Sequence, residues 1–286
     1  EYSVKERLNA YNKCIELTET GMSPSEIWKK LRSKGLEIKY ETIRVWAKKI
    51  RNPYKKLNTI KNEKELSYVI GLLLGDGYFY KVMKRGSYNN GRIVLGVKDE
   101  DLAKNFATLI SHIFGDKRIY KANWSESRRV YIVEVRSKEL VELLLKDFED
   151  LLKFIEGSEA SFIRGLFDAE GCINIKYQKG RIYPRIFLTN SDTKIIDFVK
   201  SHLKKEGISS NIQINTRAGK EKFILGKKTK TSKDCYNLVI ENITGVKKFM
   251  EKINFTIKRK REKLNEVISH IEKNGNQIKN YSLSKI

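Results

Sequence analysis

The sequence predicts an α+β protein in which an αββαββα unit occurs twice with pseudo-two-fold symmetry, behind a small all-α amino-terminal domain. Three observations predict it. Helical and strand periodicities alternate in the same order twice between residues 66 and 255. Each copy opens on an apolar helix with small residues four apart and a carboxylate at its end. Residues 1–57 carry a separate apolar periodicity, closed by Pro53.

The length, 286 residues, fits two domains or one large domain with an appendage. A hydrophobic fraction of 40% supplies a core and excludes wholesale disorder. The longest apolar run, Tyr68 to Gly75, ends at Asp76, far short of the ~20 residues a membrane span needs. Lys5, Glu6 and Arg7 do not form the flank of a signal segment, so a cytoplasmic, intracellular protein is expected. Cys14, Cys172 and Cys235 are scattered without C-x-x-C spacing, which argues against a disulfide framework or a zinc knuckle. Lys and Arg number 58 against 35 Asp and Glu, a net +23 spread along the chain. That excess points to a polyanion, nucleic acid first, the alternative being a chain merely rich in Lys, Asn and Ile.

Taken in order, Leu8, Tyr11, Ile15 and Leu17 predict an opening helix that ends near Gly21. Ser23-Pro24-Ser25-Glu26 reads as an N-cap, a proline at the first helical position and an acid at the third. The second helix turns Ile27, Trp28 and Leu31 inward and stops at Gly35; the third runs from Tyr40 to Lys49. A capped helix, a glycine turn and a basic helix resemble the helix-turn-helix domains of transposases and resolvases. The resemblance puts Ile43, Trp46 or Ala47, and Ile50 in the core and offers Thr42, Arg44, Lys48 and Lys49 to a major groove. An ordinary three-helix bundle with a solvated basic face is the plainer reading. Residues 58–65 read as a linker.

The first copy, residues 66–156, predicts a helix from Leu66 to Gly75, strands at Tyr78–Met83 and Arg92–Lys98, and a helix from Leu102 to Phe114. Strands at Arg118–Ala122 and Arg129–Arg136 and a helix from Lys138 to Phe148 follow. The second copy, residues 157–255, gives a helix at Ala160–Ala169, strands at Cys172–Gln178 and Arg181–Thr189, and a helix around Ile195–Leu203. Strands at Asn211–Thr216 and Asp234–Ile240 and a helix at Val246–Ile253 complete it. The tail, residues 256–286, opens with Lys258-Arg259-Lys260-Arg261, and Leu264, Val267, Ile268 and Ile271 follow at helical spacing. It is expected to dock as a helix with its basic cluster toward phosphates.

The opening helices carry related signatures, Ile70-Gly71-Leu72-Leu73-Leu74-Gly75-Asp76-Gly77 and Arg164-Gly165-Leu166-Phe167-Asp168-Ala169-Glu170-Gly171. Gly71 and Gly75, like Gly165 and Ala169, share one helix face, so two backbones can approach closely. Asp76 and Glu170 stand at the carboxyl ends, where the helix dipole disfavours a negative charge by about 0.3–1 kcal/mol. Something positive should sit there. Two acids meeting near the pseudo-two-fold axis, in an oxygen-only environment with no His or Cys ligand, suit magnesium or manganese and metal-assisted phosphodiester hydrolysis.

The two G-x-h-h-x-[GA]-[DE]-G motifs, with acids 94 residues apart, resemble the LAGLIDADG homing endonucleases in their single-chain, two-motif form. The resemblance implies that Asp76 and Glu170 bind catalytic metal, Mg2+ or Mn2+, with help from the carbonyls of Gly75 and Ala169. It also implies a basic or amide residue at a strand end beside the scissile phosphate, Lys98 in copy one and, by position, Asn190 in copy two. Asp168 answers to Leu74, so it lies outside the metal set and has a local structural role. The implied activity is a double-strand break in a long, imperfectly palindromic DNA site by a monomer. A DNA-binding regulator on a nuclease-derived scaffold and an RNA intron maturase remain alternatives.

Strand parity supplies the DNA surface. With Ile93, Leu95 and Val97 inward, Arg92, Val94, Gly96 and Lys98 face out. In copy two, Ile173, Ile175 and Tyr177 alternate with Asn174, Lys176 and Gln178, and Ile212 and Ile214 with Gln213, Asn215 and Arg217. Arg181, Tyr183 and Arg185 extend that surface. Arg and Lys suit guanine edges, Asn and Gln adenine edges.

Overall fold

The structure is a computed structural model that describes residues 4–48, 63–84, 87–114, 119–224 and 227–275. The chain divides into two units, Glu1–Lys61 and Asn62–Ile286. The first holds α1 (Val4–Glu19), α2 (Pro24–Arg32) and α3 (Tyr40–Ala47). Its core is Ala10, Tyr11, Cys14, Leu17, Ile27, Leu31, Ile43 and Trp46, with Trp46 edge-on to Tyr11 at 5.5 Å. Ser23 and Glu26 form the expected capping box, and Gly21 (φ +84°) and Gly35 (φ +80°) take the left-handed conformation that stops each helix. Trp28, expected inward, is partly buried, and its indole N–H donates to the Ile38 carbonyl at 2.9 Å. Lys49, Ile50 and most of the expected linker lie outside the described residues.

In the second unit, the first copy comprises α4 (Glu63–Asp76), β1 (Gly77–Lys84), β2 (Ser87–Val97), α5 (Glu100–Ile113), β3 (Asn123–Ser125), β4 (Val130–Arg136) and α6 (Lys138–Leu144), followed by α7 (Phe148–Ile155). The second comprises α8 (Glu159–Glu170), β5 (Gly171–Gln178), β6 (Arg181–Asn190), α9 (Thr193–Lys205), β7 (Asn211–Thr216), β8 (Glu221–Ile224), β9 (Lys227–Lys230), β10 (Cys235–Ile240) and α10 (Ile243–Lys252). A last helix, α11, spans Lys258–Asn274. Two antiparallel four-stranded sheets result, ordered β1-β2-β4-β3 and β5-β6-β10-β7, the same topology twice. No helix among the described residues is long and apolar enough to cross a membrane.

Four sequence expectations need correction. The strand expected at 118–122 lies later, at Asn123–Ser125, and residues 119–122 form none. The helix expected over 138–148 breaks after Leu144, because Asp147 takes the extended N-cap position of a new helix. Copy two carries an extra hairpin, β8–β9, between β7 and β10. Tyr177 and Ile214, expected inward, are 46% and 48% exposed. Both lie on edge strands, Tyr177 one residue from the β5–β6 turn end and Ile214 beside a register shift against β10.

At the centre α4 and α8 pack backbone to backbone. A Cβ added at Gly71 would stand 2.1 Å from the Phe162 carbonyl oxygen, and one at Gly165 would stand 2.2 Å from that of Tyr68. The small residues are therefore a steric requirement of this pair. Val69, Ile70, Leu72, Leu73, Phe162, Ile163 and Leu166 are all buried around it.

Candidate active site

Each central helix passes into its sheet without a loop: α4 ends at Asp76 and β1 begins at Gly77, α8 ends at Glu170 and β5 begins at Gly171. A side chain at either glycine would overlap the preceding turn, at 2.5 Å from the Leu73 carbonyl oxygen or 2.3 Å from that of Phe167. The junction fixes each acid at the end of its helix, and the α4–α8 contact brings the ends together. A Cβ on Gly75 would lie 2.4 Å from that of Ala169 and 3.1 Å from Glu170 Cγ.

Asp76 and Glu170 line one open cleft of ≈ 570 Å³ with Lys98, Asp99, Ala169, Gly171, Cys172, Arg259 and Lys260. Loss of water pushes both carboxyls above the usual carboxylate range; the Asp76 charge raises Glu170 further, and Lys260 opposes both shifts. Two like charges sharing a cleft create a demand for cations. Lys98 brings one cationic side chain to the same cleft. Among the described residues no three His, Cys, Asp or Glu cluster to cage a metal. Asp99 and Asp168 also line the cleft but accept from Arg259 and from Tyr68, Thr256 and Ile257, and Cys172 adds a thiol; the carboxylates of Asp76 and Glu170 with nearby backbone oxygens are the set that fits a hard cation keeping several waters and substrate oxygens.

Asn190 does not hold the register position of Lys98. The registers Gly77 opposite Leu95 and Gly171 opposite Leu188, and the N-caps Asp99 and Asp192, equate Lys98 with Ser191 and place Asn190 opposite Val97 in the superposed order. The Asn190 side chain accepts from the Asp192 N–H at 2.8 Å, and neither Asn190 nor Ser191 is among the residues lining the cleft. A one-residue offset between copies, invisible without the strand register, misled the positional match.

Asp168 has the structural role expected of it. Its buried carboxylate accepts from the Tyr68 hydroxyl at 2.8 Å and from the N–H groups of Thr256 and Ile257, tying α4 and the start of α11 to α8. The tail docks as the expected helix, α11, and part of its basic cluster is held by the protein itself. Arg259 forms a double hydrogen bond with Asp99, 3.1 Å each, the Lys258 N–H donates to Asp101, and Lys260 is buried. In the fold Lys260 joins Leu264, Val267, Ile268 and Ile271 on one buried stripe of α11.

The outer strand faces carry the remaining candidates. On the second sheet Asn174 is opposite Arg185, Lys176 opposite Tyr183, and Gln178 opposite Arg181; Gln213 is opposite Asn237. Asn174, Lys176, Gln178, Arg181, Gln213, Asn215 and Arg217 are exposed. Arg185 is held by Glu241 and lies 4.8 Å over the Phe187 ring, and on the first sheet Arg92 binds Glu134 at 2.6 Å and the Tyr80 hydroxyl. Those two arginines are anchored, so they present fixed rather than swinging heads. In the first unit Arg44 and Lys48 are exposed, Arg44 in an ion pair with Glu41, and Thr42 is half-buried.

Residues 63–149 and 157–254 each match the family described as a LAGLIDADG-like domain. The uncharacterised protein MJ0398 of Methanocaldococcus jannaschii is 33% identical over 276 residues, covering 96% of this chain and 98% of that one. The homing endonuclease I-DmoI of Desulfurococcus mucosus is 26% identical over 52% of this chain and 74% of its own. The crystal structure of I-DmoI in complex with DNA and Ca covers 71% of this chain at 22% identity with a TM-score of 0.52, a likeness of fold.

Proposed function

The chain belongs to the LAGLIDADG-like domain family, in two repeats, and from that premise we propose that it is a site-specific DNA endonuclease making a divalent-metal-dependent double-strand break. The observation that carries this reading is the meeting of Asp76 and Glu170 at paired helix ends, in one cleft with Lys98. The similarity to a homing endonuclease supports DNA as the substrate.

Asp76 and Glu170, with backbone oxygens of Gly75 and Ala169, would hold Mg2+ or Mn2+. When bound, such an ion supplies Lewis acidity and an activated water for phosphodiester hydrolysis. The chain's own residues do the rest. The ionised carboxylates set the charge of the cleft, and Lys98 stabilises negative charge on the phosphate at the copy-one side. Each sheet's outer face reads one half of a pseudo-palindromic site, through Asn174, Lys176, Gln178, Arg181, Gln213, Asn215 and Arg217 in copy two, with Arg92 and Arg185 as fixed contacts. The first unit, net +7 over residues 1–57 from 14 Lys+Arg and 7 Asp+Glu, lengthens the footprint through Thr42, Arg44 and Lys48. Two motifs in one chain make a monomer sufficient, and a DNA substrate is consistent with the intracellular location expected of the chain.

Selection of cleaved sites from a random duplex library, with and without Mg2+, tests this. Cleavage is expected only with the ion, and Asp76→Asn or Glu170→Gln should abolish it while binding persists. Full double-strand cutting by both variants overturns the assignment.

A further inference from the structure

The outer faces of the two sheets hold equivalent places and carry different chemistry. Gly77 lies opposite Leu95 and Gly171 opposite Leu188, while Leu95 pairs with Val133 and Leu188 with Leu238. Those registers equate Tyr78, Tyr80 and Val82 of β1 with Cys172, Asn174 and Lys176 of β5. They also equate Gly96 and Ile132 with Thr189 and Asn237, and Val94 with Phe187. Copy two presents hydrogen-bonding groups there: Asn174 and Lys176 are exposed, Thr189 donates to Asn237 Oδ1 at 2.7 Å, and the Arg185 guanidinium covers the Phe187 ring.

Copy one presents carbon. Tyr78 is 65% exposed with its ring 5.3 Å from that of Tyr80, and Val82, Val94 and Ile132 are partly buried. A Cβ at Gly96 would meet only Val130, at 3.7 Å, so the surface is open above it. Charges on this face are balanced within it: Arg92 donates to the Tyr80 hydroxyl and to Glu134, and Glu134 also accepts from Arg136. The amides stand at the margins, Asn90 opposite Val82 and Asn123 on the edge strand β3. Gly96 and Val130 also line the cleft of Asp76 and Glu170, so this face reaches the candidate active site.

A contiguous apolar patch on a chain of net +23 calls for an occupant, and its continuity with the cleft favours the DNA that the cleft would cut. The apolar group that a base pair offers in the major groove is the thymine C5-methyl, which aliphatic and aromatic side chains contact. We propose that copy one reads its half-site through thymine methyls, seated against Val82, Val94, Ile132 and the Tyr78 ring, whereas copy two reads donors and acceptors. The target is therefore lopsided, with a thymine-rich half under the first sheet. The inference rests on the reading of the outer sheet faces as the DNA surface.

Duplexes selected for binding to the full chain in EDTA, where no cleavage is expected, supply the substrate. The half whose consensus relaxes with Lys176→Ala belongs to copy two. Thymine is then exchanged for deoxyuridine, which lacks only the methyl, in one half at a time, and affinity is read by fluorescence anisotropy. Each covered methyl is worth about fourfold, so losing two or more from the copy-one half should weaken binding about tenfold or further. In the copy-two half the exchange should change affinity by less than about twofold. Val94→Ser with Ile132→Asn, the latter installing the copy-two side chain, should bind thymine and deoxyuridine duplexes alike. The exchange on the parent decides even where that variant does not fold. Equal effects in the two halves, or none in the copy-one half, overturn the inference and leave DNA binding standing. Failure to select any duplex overturns the endonuclease reading and this inference with it. Dimers seen by sedimentation and dispersed by Ile132→Asn give the face to a second copy, which overturns the inference as well.

Discussion

Replacing Gly165 with alanine is the sharpest probe of the central helix pair. The added methyl would stand 2.2 Å from the Tyr68 carbonyl oxygen and 2.8 Å from the Leu72 nitrogen, where ordinary contact starts at 3.4 Å. Both obstacles are backbone, so no rotamer change relieves them; α4 and α8 must part by about an ångström. Alanine favours the helix by about 1 kcal/mol over glycine. Overpacking of a tight core typically costs about 1–3 kcal/mol, and backbone against backbone belongs at the upper end or beyond. The net expectation is a loss of about 2 kcal/mol, on the order of a 30-fold fall in the folded-to-unfolded ratio. Urea denaturation followed by fluorescence in a Trp28→Phe/Trp46→Phe background, which leaves Trp124 as the single tryptophan, reads the second unit. Cleavage should fall further than stability, because an ångström of displacement between reacting groups can cost about 100-fold. Gly96→Ala is the control: its methyl meets only Val130, at 3.7 Å, and should change stability by less than about 0.5 kcal/mol. A Gly165→Ala protein as stable as the parent, or more so, refutes the close contact.

Asp168→Ala should cost about 3 kcal/mol in the same urea assay, since it strands the Tyr68 hydroxyl and the Thr256 and Ile257 N–H groups in a buried site; an unchanged midpoint contradicts this. In EDTA the raised carboxyls of Asp76 and Glu170 give stability that is full below the unfolded carboxylate range and is lost as pH rises through their folded values. Melting temperatures compared with Asp76→Asn/Glu170→Gln should show the variant gaining on the parent as pH rises, whereas a pH-independent difference removes the linkage. Lys98→Ala should slow cutting of one strand more than the other, read from end-labelled substrate. Ser191→Lys, which supplies the register counterpart, should narrow the parent's difference between strand rates; equal rates in every protein exclude Lys98 from the site.

Much of this molecule is local and therefore legible in the chain. The duplicated element order follows from periodicity, because burying one face fixes a period of 2 or 3.6 wherever the segment ends up. The Ser23 capping box and the turns at Gly21 and Gly35 are decided by atoms a few bonds apart. The acids were legible for a related reason: a carboxylate at a helix end preceding a glycine is a local anomaly that demands an external explanation, and its recurrence 94 residues later supplies one. Asp168 also declared itself, by having no counterpart in copy one. What tertiary structure alone decided depends on register and on contacts between distant segments. Ser191 rather than Asn190 answers to Lys98 because strand pairing, not spacing along the chain, aligns the copies. The break at Asp147 and the exposure of Tyr177 and Ile214 reflect which neighbours cover a surface, something periodicity cannot know. Lys260 shows the division most clearly. Its sequence neighbours, Lys258, Arg259 and Arg261, gave it the look of one more solvated charge, and only the fold, bringing residues some ninety positions apart into contact, made it a buried cation that donates to the Phe167 and Asp168 carbonyls at the end of α8.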